Sequence, residues 1–138
     1  MHALYDVISG PAGQKRNWDR MKSLFEPDGT MASVVVSPSG NVRDVEFNVD
    51  KYITFGDPYF QKNAFYEHEM ARRTEQFGHI ATVFSSYASQ KDLKEKPFAR
   101  GVNTLQLIND GKRWWIRAIL WEEESKEVPL PKKYEGKG

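Results

Sequence analysis

Glu67 and Glu69, two residues apart in FYEHEMARR, are the side chains best spaced to do chemistry in this chain. On an extended strand, alternate residues face the same way. Glu67, Glu69 and Arg73 therefore share one face, and His68, Met70 and Arg72 the other. A carboxyl turned into an apolar pocket resists ionisation, and a raised pKa suits it to acid–base work near neutrality. Glu69 and His68 are the candidate catalytic groups. The competing role for these residues is an ion-pair ladder with His79 or Arg100, or the rim of an interface. His2, His68 and His79 fall on different elements without HxH or HExxH spacing, so no metal site is expected. The chain has no cysteine, which removes thiolate ligands, disulfides and cysteine nucleophiles. Ser85-Ser86 lies within a strand pattern and lacks a GxSxG elbow. Gly10-Pro11-Ala12-Gly13 has no strand before it and no GK[ST] after it, so it is not a phosphate loop. No cofactor is expected.

These residues must be held by a domain of 138 residues, 39% of them hydrophobic, enough for one core. With 20 basic and 19 acidic residues there is no basic footprint for nucleic acid or an anionic membrane. No apolar run approaches the length of a membrane span, and Met1-His2-Ala3 lacks a basic leader. As given, the chain is expected in the cytoplasm; Met1 falls almost inside the first helix, as an upstream truncation would place it.

Leu4, Val7 and Ile8 mark one helical face, followed by a Gly/Pro loop. A second helix runs from about Asn17 to Phe25, with Trp18, Met21, Leu24 and Phe25 inward. Glu26-Pro27-Asp28-Gly29 stops it. Strands are expected over Met31–Val36 and Val42–Phe47. A short helix capped by Asn48 or Asp50 follows, broken near Asp57-Pro58. Ala64–Gln76 and Ile80–Ser89 flank a tight Phe77-Gly78-His79 turn. Arg100–Ile108 and Arg113–Glu124 form a long hairpin about Asn109-Asp110-Gly111. Helices early and long strands late give an α+β fold, its curved antiparallel sheet covered on one face by the helices. Residues 1–124 form the single domain and 125–138 an exposed tail.

Together, LYDVISGPAGQKRNWDRMKSLFEPDGTM, FYEHEMARRTEQFGHIATVFSSYAS and FARGVNTLQLINDGKRWWIRAILWEEE cover nearly all of residues 3–124. Their order resembles the nuclear-transport-factor-2-like superfamily, also called cystatin-like or SnoaL-like. The closing DGKRWWI strand carries most of the likeness. The first helix is about half the family's usual length. The resemblance implies a cone, a sheet wrapped round helices with a pocket between them. Members include ketosteroid isomerases, polyketide cyclases and scytalone dehydratase, and many only bind. By that likeness Tyr5 falls at an oxyanion-hole tyrosine, Asn103 at a hydrogen-bonding acid, and Ser33 near the general-base aspartate. Without that base, steroid isomerisation is not expected.

Trp114, Ile116, Ala118 and Leu120 form one row of the last strand; Trp115, Arg117, Ile119 and Trp121 form the other. Two apolar faces imply two covers. A homodimer through the convex face is expected, using Trp115, Arg117, Ile119 and Trp121 with Val83 and Tyr87. The alternative is half-exposed aromatics with Arg117 stacked across them. The expected ligand is a small apolar molecule lined by Tyr5, Trp18, Tyr52, Glu67, Glu69, Thr82, Phe84, Ser86, Asn103 and Trp114. Two rivals remain open. One is an enzyme of the cyclase, dehydratase or isomerase kind, using a pocket carboxylate or histidine. The other is an association module whose pocket is filled by its own side chains.

Overall fold

The computed structural model describes residues 1–136. In chain order the elements are α1 (His2–Ile8), α2 (Trp18–Leu24), β1 (Phe25–Val36), β2 (Val42–Phe47) and α3 (Val49–Lys62), then β3 (Tyr66–Phe77), β4 (Ile80–Gln90), β5 (Ala99–Asn109) and β6 (Trp114–Glu123). A single 3₁₀ turn, Lys132–Tyr134, closes the chain. The fold is α+β. Six strands form one sheet in the order β2-β1-β6-β5-β4-β3, antiparallel except where β1 lies parallel to β6. The helices cover its concave face. Leu4, Val7 and Ile8 of α1, Trp18 and Met21 of α2 and Phe60 of α3 join Val83, Leu105, Ile116 and Ile119 in one core.

Local chemistry sets the helix starts. Asn17 and Asn48 each accept a hydrogen bond from a backbone N–H three residues on, at 3.0 and 2.8 Å. Contrary to expectation, α3 does not break near Pro58 but runs on to Lys62. Phe60 supplies the reason: buried against Trp18 and Phe65, at centroid distances of 5.9 and 5.5 Å, it ties the last turn to the core. The second helix stops before Glu26, as expected, and Glu26–Gly29 is an irregular stretch inside β1, between the pairs Phe25↔Ile116 and Thr30↔Ala118.

Two further irregularities alter the alternation of faces. The β3–β4 register shifts between Glu69 and Ala71, and the β5–β6 register between Gln106 and Leu107, opposite Arg117. Each inserts one residue, so side chains beyond it change sides. Ile116 and Ile119, three apart, are thus both in the core.

The C-terminal segment is not free along its length. Leu130 is buried, Ser86 donates to the Tyr134 carbonyl at 2.6 Å, and the Tyr134 ring lies 4.8 Å from Phe84. It straps the convex face. Lys137 and Gly138, the end of the expected tail, lie outside the described residues.

Candidate functional site

The position of α1 depends on Arg16, in the loop before α2. Buried at 4% exposure, it donates to the carbonyls of Ile8, Gly10, Pro11 and Gln14 at 2.7–3.0 Å and lies 4.6 Å over the Phe60 ring. A fork of five donors suits this task where an ammonium would not. A side chain at Gly10 would press on this guanidinium, its Cβ 3.3 Å from Arg16 Cζ. Gly10 also exchanges backbone hydrogen bonds with Phe65 at 2.8 and 3.0 Å, fixing α1 to the start of β3.

Thus anchored, α1 sets Tyr5 beneath the sheet. The Asn103 amide donates to Tyr5 Oη at 3.0 Å, and Tyr5 lies 2.7 Å from Ser85 Oγ. Ser85 in turn donates to Glu69, which Arg72 holds at 2.7 Å. Because the single Ser85 hydrogen goes to Glu69, that of Tyr5 goes to Ser85. The chain of donors runs one way and ends on a carboxylate. Burial opposes the ionised form of Glu69, but the hydrogen bonds from Arg72 and Ser85 outweigh it and hold its pKa below the usual value. Burial pushes the Tyr5 hydroxyl up to about 12, against the pull of its bonds to Ser85 and Asn103. Tyr5 and Asn103 therefore meet, as the resemblance implied. The Tyr5 proton is nonetheless committed to Ser85 rather than offered to an oxyanion.

Beside this network a cavity of about 220 Å³ opens between helices and sheet. Leu4, Ile8, Met21, Met31 and Ile119 line it with aliphatic groups, and Tyr52, Phe65, Tyr87 and Trp121 with rings. Exposed Glu123 and half-exposed Phe98 stand among its lining residues and mark the rim. Glu67 turns into it and accepts from Ser89 Oγ at 2.8 Å. Burial drives the Glu67 pKa up to about 7, and the Ser89 bond pulls only weakly the other way. Among the described residues, no side-chain hydrogen bond engages the hydroxyls of Tyr52 and Tyr87 or the Asn103 side-chain oxygen, and these atoms open onto the cavity, since no enclosed side-chain polar atom lacks a partner. Burial raises both tyrosine pKa values, and neighbouring Glu67 adds to that. Gly101 makes room for Tyr87, since a Cβ there would sit 2.6 Å from its hydroxyl oxygen. A larger hollow of about 310 Å³ lies on the convex face under the strap. The smaller cavity is the stronger candidate, because the uncommitted polar groups converge there.

Of the expected lining residues, Tyr52, Glu67 and Asn103 reach the cavity. Trp18 fills the core instead, its indole N–H on Asp57 at 3.0 Å. Trp114 lies elsewhere, beside Met1, Leu24 and Leu107. Thr82, Phe84 and Ser86 face the convex side: Thr82 is exposed, and the other two sit against the strap. Conversely Val83, Tyr87, Ile119 and Trp121, expected on a dimer face, point to the concave side. Alternation did not separate the two sets: Asn103 lies with Val83 and Tyr87 rather than with Thr82, Phe84 and Ser86, and the bulge at Arg117 parts Ile119 and Trp121 from Trp115. Trp115 and Arg117 do stay outside the core, Trp115 under Arg113 with its N–H on Asp110, and Arg117 beside Glu26 and Asp28. Arg72 joins Glu69 rather than the His68 face, because the chain bulges at Met70. His68 is exposed, beside Met70 and Ala88 on the outer side.

No family model and no curated protein matches the sequence. Solved structures do. A protein of unknown function with a cystatin-like fold from Nostoc punctiforme superposes with a TM-score of 0.66 at 10% identity, over 90% of this chain and 85% of that one. An NTF2-like protein of unknown function from Methylobacillus flagellatus gives 0.58 at 9% identity, over 90% and 86%. The chain has the nuclear-transport-factor-2-like fold. A proposed dehydratase of the NTF2-like family from Streptomyces avermitilis shares that fold with a TM-score of 0.60, at 12% identity over 89% of each chain. At such identities the likeness is one of fold, and the cavity's chemistry must come from this chain's own side chains.

Ser89 and Arg16 were not singled out from the sequence, and Ser85 was weighed only as a nucleophile. The alternation Val83, Ser85, Tyr87, Ser89 was visible as a mixed face. Nothing in the sequence marks Arg16 as buried.

Proposed function

We propose that this chain binds a small, mainly apolar molecule in the cavity between helices and sheet. One observation carries this. The Tyr52 and Tyr87 hydroxyls, the Asn103 carbonyl and the Glu67 carboxyl reach an apolar cavity, and only Glu67 has a side-chain partner there, Ser89. Open to the cavity with their hydrogen-bonding capacity free, these groups stand ready to orient a ligand. Saturation-transfer NMR with small ring compounds tests the reading. Signals are expected from wild type and not from Ala99→Trp, which plugs the rim; equal signals from both would overturn it.

A second reading, acid–base catalysis, is favoured by Glu67 alone. A carboxyl with a pKa of about 7 is half ionised at neutral pH and can take or return a proton. Glu69 is ion-paired and His68 faces outward, so the role expected of them falls to Glu67.

A further inference from the structure

We propose that the ligand of this cavity is an organic cation, an amine or quaternary ammonium on a mainly apolar body, its charge held by Glu67 among Tyr52, Phe65, Tyr87 and Trp121. The proposal rests on the reading that the cavity binds a small molecule, and names its class.

Charge comes first. Among the described residues, two carboxylates, Glu67 and Glu123, line the cavity, and no lysine, arginine or histidine does. The guanidiniums nearby are committed elsewhere: Arg16 to backbone carbonyls, Arg72 to Glu69, Arg100 to Glu124 and Glu135. A half-buried carboxylate facing an apolar cavity without a cation is costly, and the fold supplies Glu67 only a serine hydroxyl. A ligand that brings the positive charge removes that cost. An anion would meet ionised Glu67 and Glu123 head-on and is disfavoured. A neutral ligand would leave Glu67 as it found it.

The walls agree with the charge. Aromatic faces attract cations, most strongly when water is displaced, and five rings, Phe98 at the rim included, line a cavity of about 220 Å³. Outside, Glu123 at the rim adds a field of the same sign that draws cations towards the opening.

The experiment uses the full chain and three probes of similar size: benzyltrimethylammonium, benzyl alcohol and benzoate. Affinities are measured by calorimetry and by saturation-transfer NMR. The ammonium should bind about tenfold or more tighter than the alcohol, consistent with one desolvated ion pair plus cation–π contact, and benzoate not at all. Glu67→Gln should abolish that preference, the ammonium then binding no tighter than the alcohol. In wild type, the preference should shrink as pH falls from 8 to 5.5 and Glu67 protonates. Around Glu67, the facing groups are the Ser89, Tyr5, Tyr52 and Tyr87 hydroxyls and the Glu69 and Glu123 carboxylates. Binding of the alcohol in the cavity without preference for the ammonium overturns the cation proposal alone. Binding of none of the three, with Ala99→Trp silent, overturns the small-molecule reading as well.

Discussion

Replacing Glu67 by glutamine should make the protein more stable at pH 8 than wild type, and the size follows from its surroundings. The Glu67 pKa rises from 4.5 to about 7 because the carboxyl is buried with only Ser89 beside it. A carboxyl with a raised folded-state pKa favours folding while protonated. That contribution is complete below pH 4.5 and is lost as pH climbs through about 7. The loss is about 3 kcal/mol, at 1.36 kcal/mol per pKa unit. Unfolding 138 residues carries an entropy near 0.3 kcal/mol/K, so this corresponds to roughly 10 °C in melting temperature. Glutamine keeps an acceptor for Ser89 and cannot ionise. Scanning calorimetry of both proteins between pH 4.5 and 8 should show the variant gaining steadily on wild type, by up to that amount. Below pH 4.5, Glu69, Asp6, Asp110 and Glu124, all with lowered pKa values, lose their contributions in both proteins alike. Parallel curves across the range would refute the placement of Glu67 in an apolar, uncompensated site.

Three other outcomes are expected. Arg16→Lys should fail to rescue Arg16→Ala in urea unfolding. Each should cost roughly 3 kcal/mol or more, because several carbonyls lose a forked partner and an unpaired buried group remains. Tyr5→Phe should cost about 1–3 kcal/mol by the same measurement, leaving the Asn103 amide without its acceptor. Truncation after Glu124 should uncover Phe84 and Leu120 and convert the chain towards dimers in light scattering, since the strap covers apolar surface that another copy can replace.

The sequence located the sheet well. The β2 limits, the tight β3–β4 turn and the long closing hairpin follow from β-branched runs between glycine turns, and the structure has all three. Meeting of Tyr5 with Asn103 was legible through family likeness, not through spacing, since 98 residues separate them. Two things were hidden. The strap draws its hold from Leu130 and Tyr134 inside a stretch rich in Lys and Pro, whose composition reads as solvated. The bulges at Met70 and Arg117 leave no mark in a pattern of alternating side chains, yet decide which residues face in.

Those bulges bear on how chains of this kind should be compared. A gapless alignment through β6 with a relative lacking the extra residue at Arg117 is out of phase by one on one side of it, pairing inward positions with outward ones. At 9–12% identity nothing in the residues themselves would expose the slip. Equivalence to Glu67, Tyr87 or Trp121 in another protein therefore has to be established by superposition, with a gap opened at each bulge.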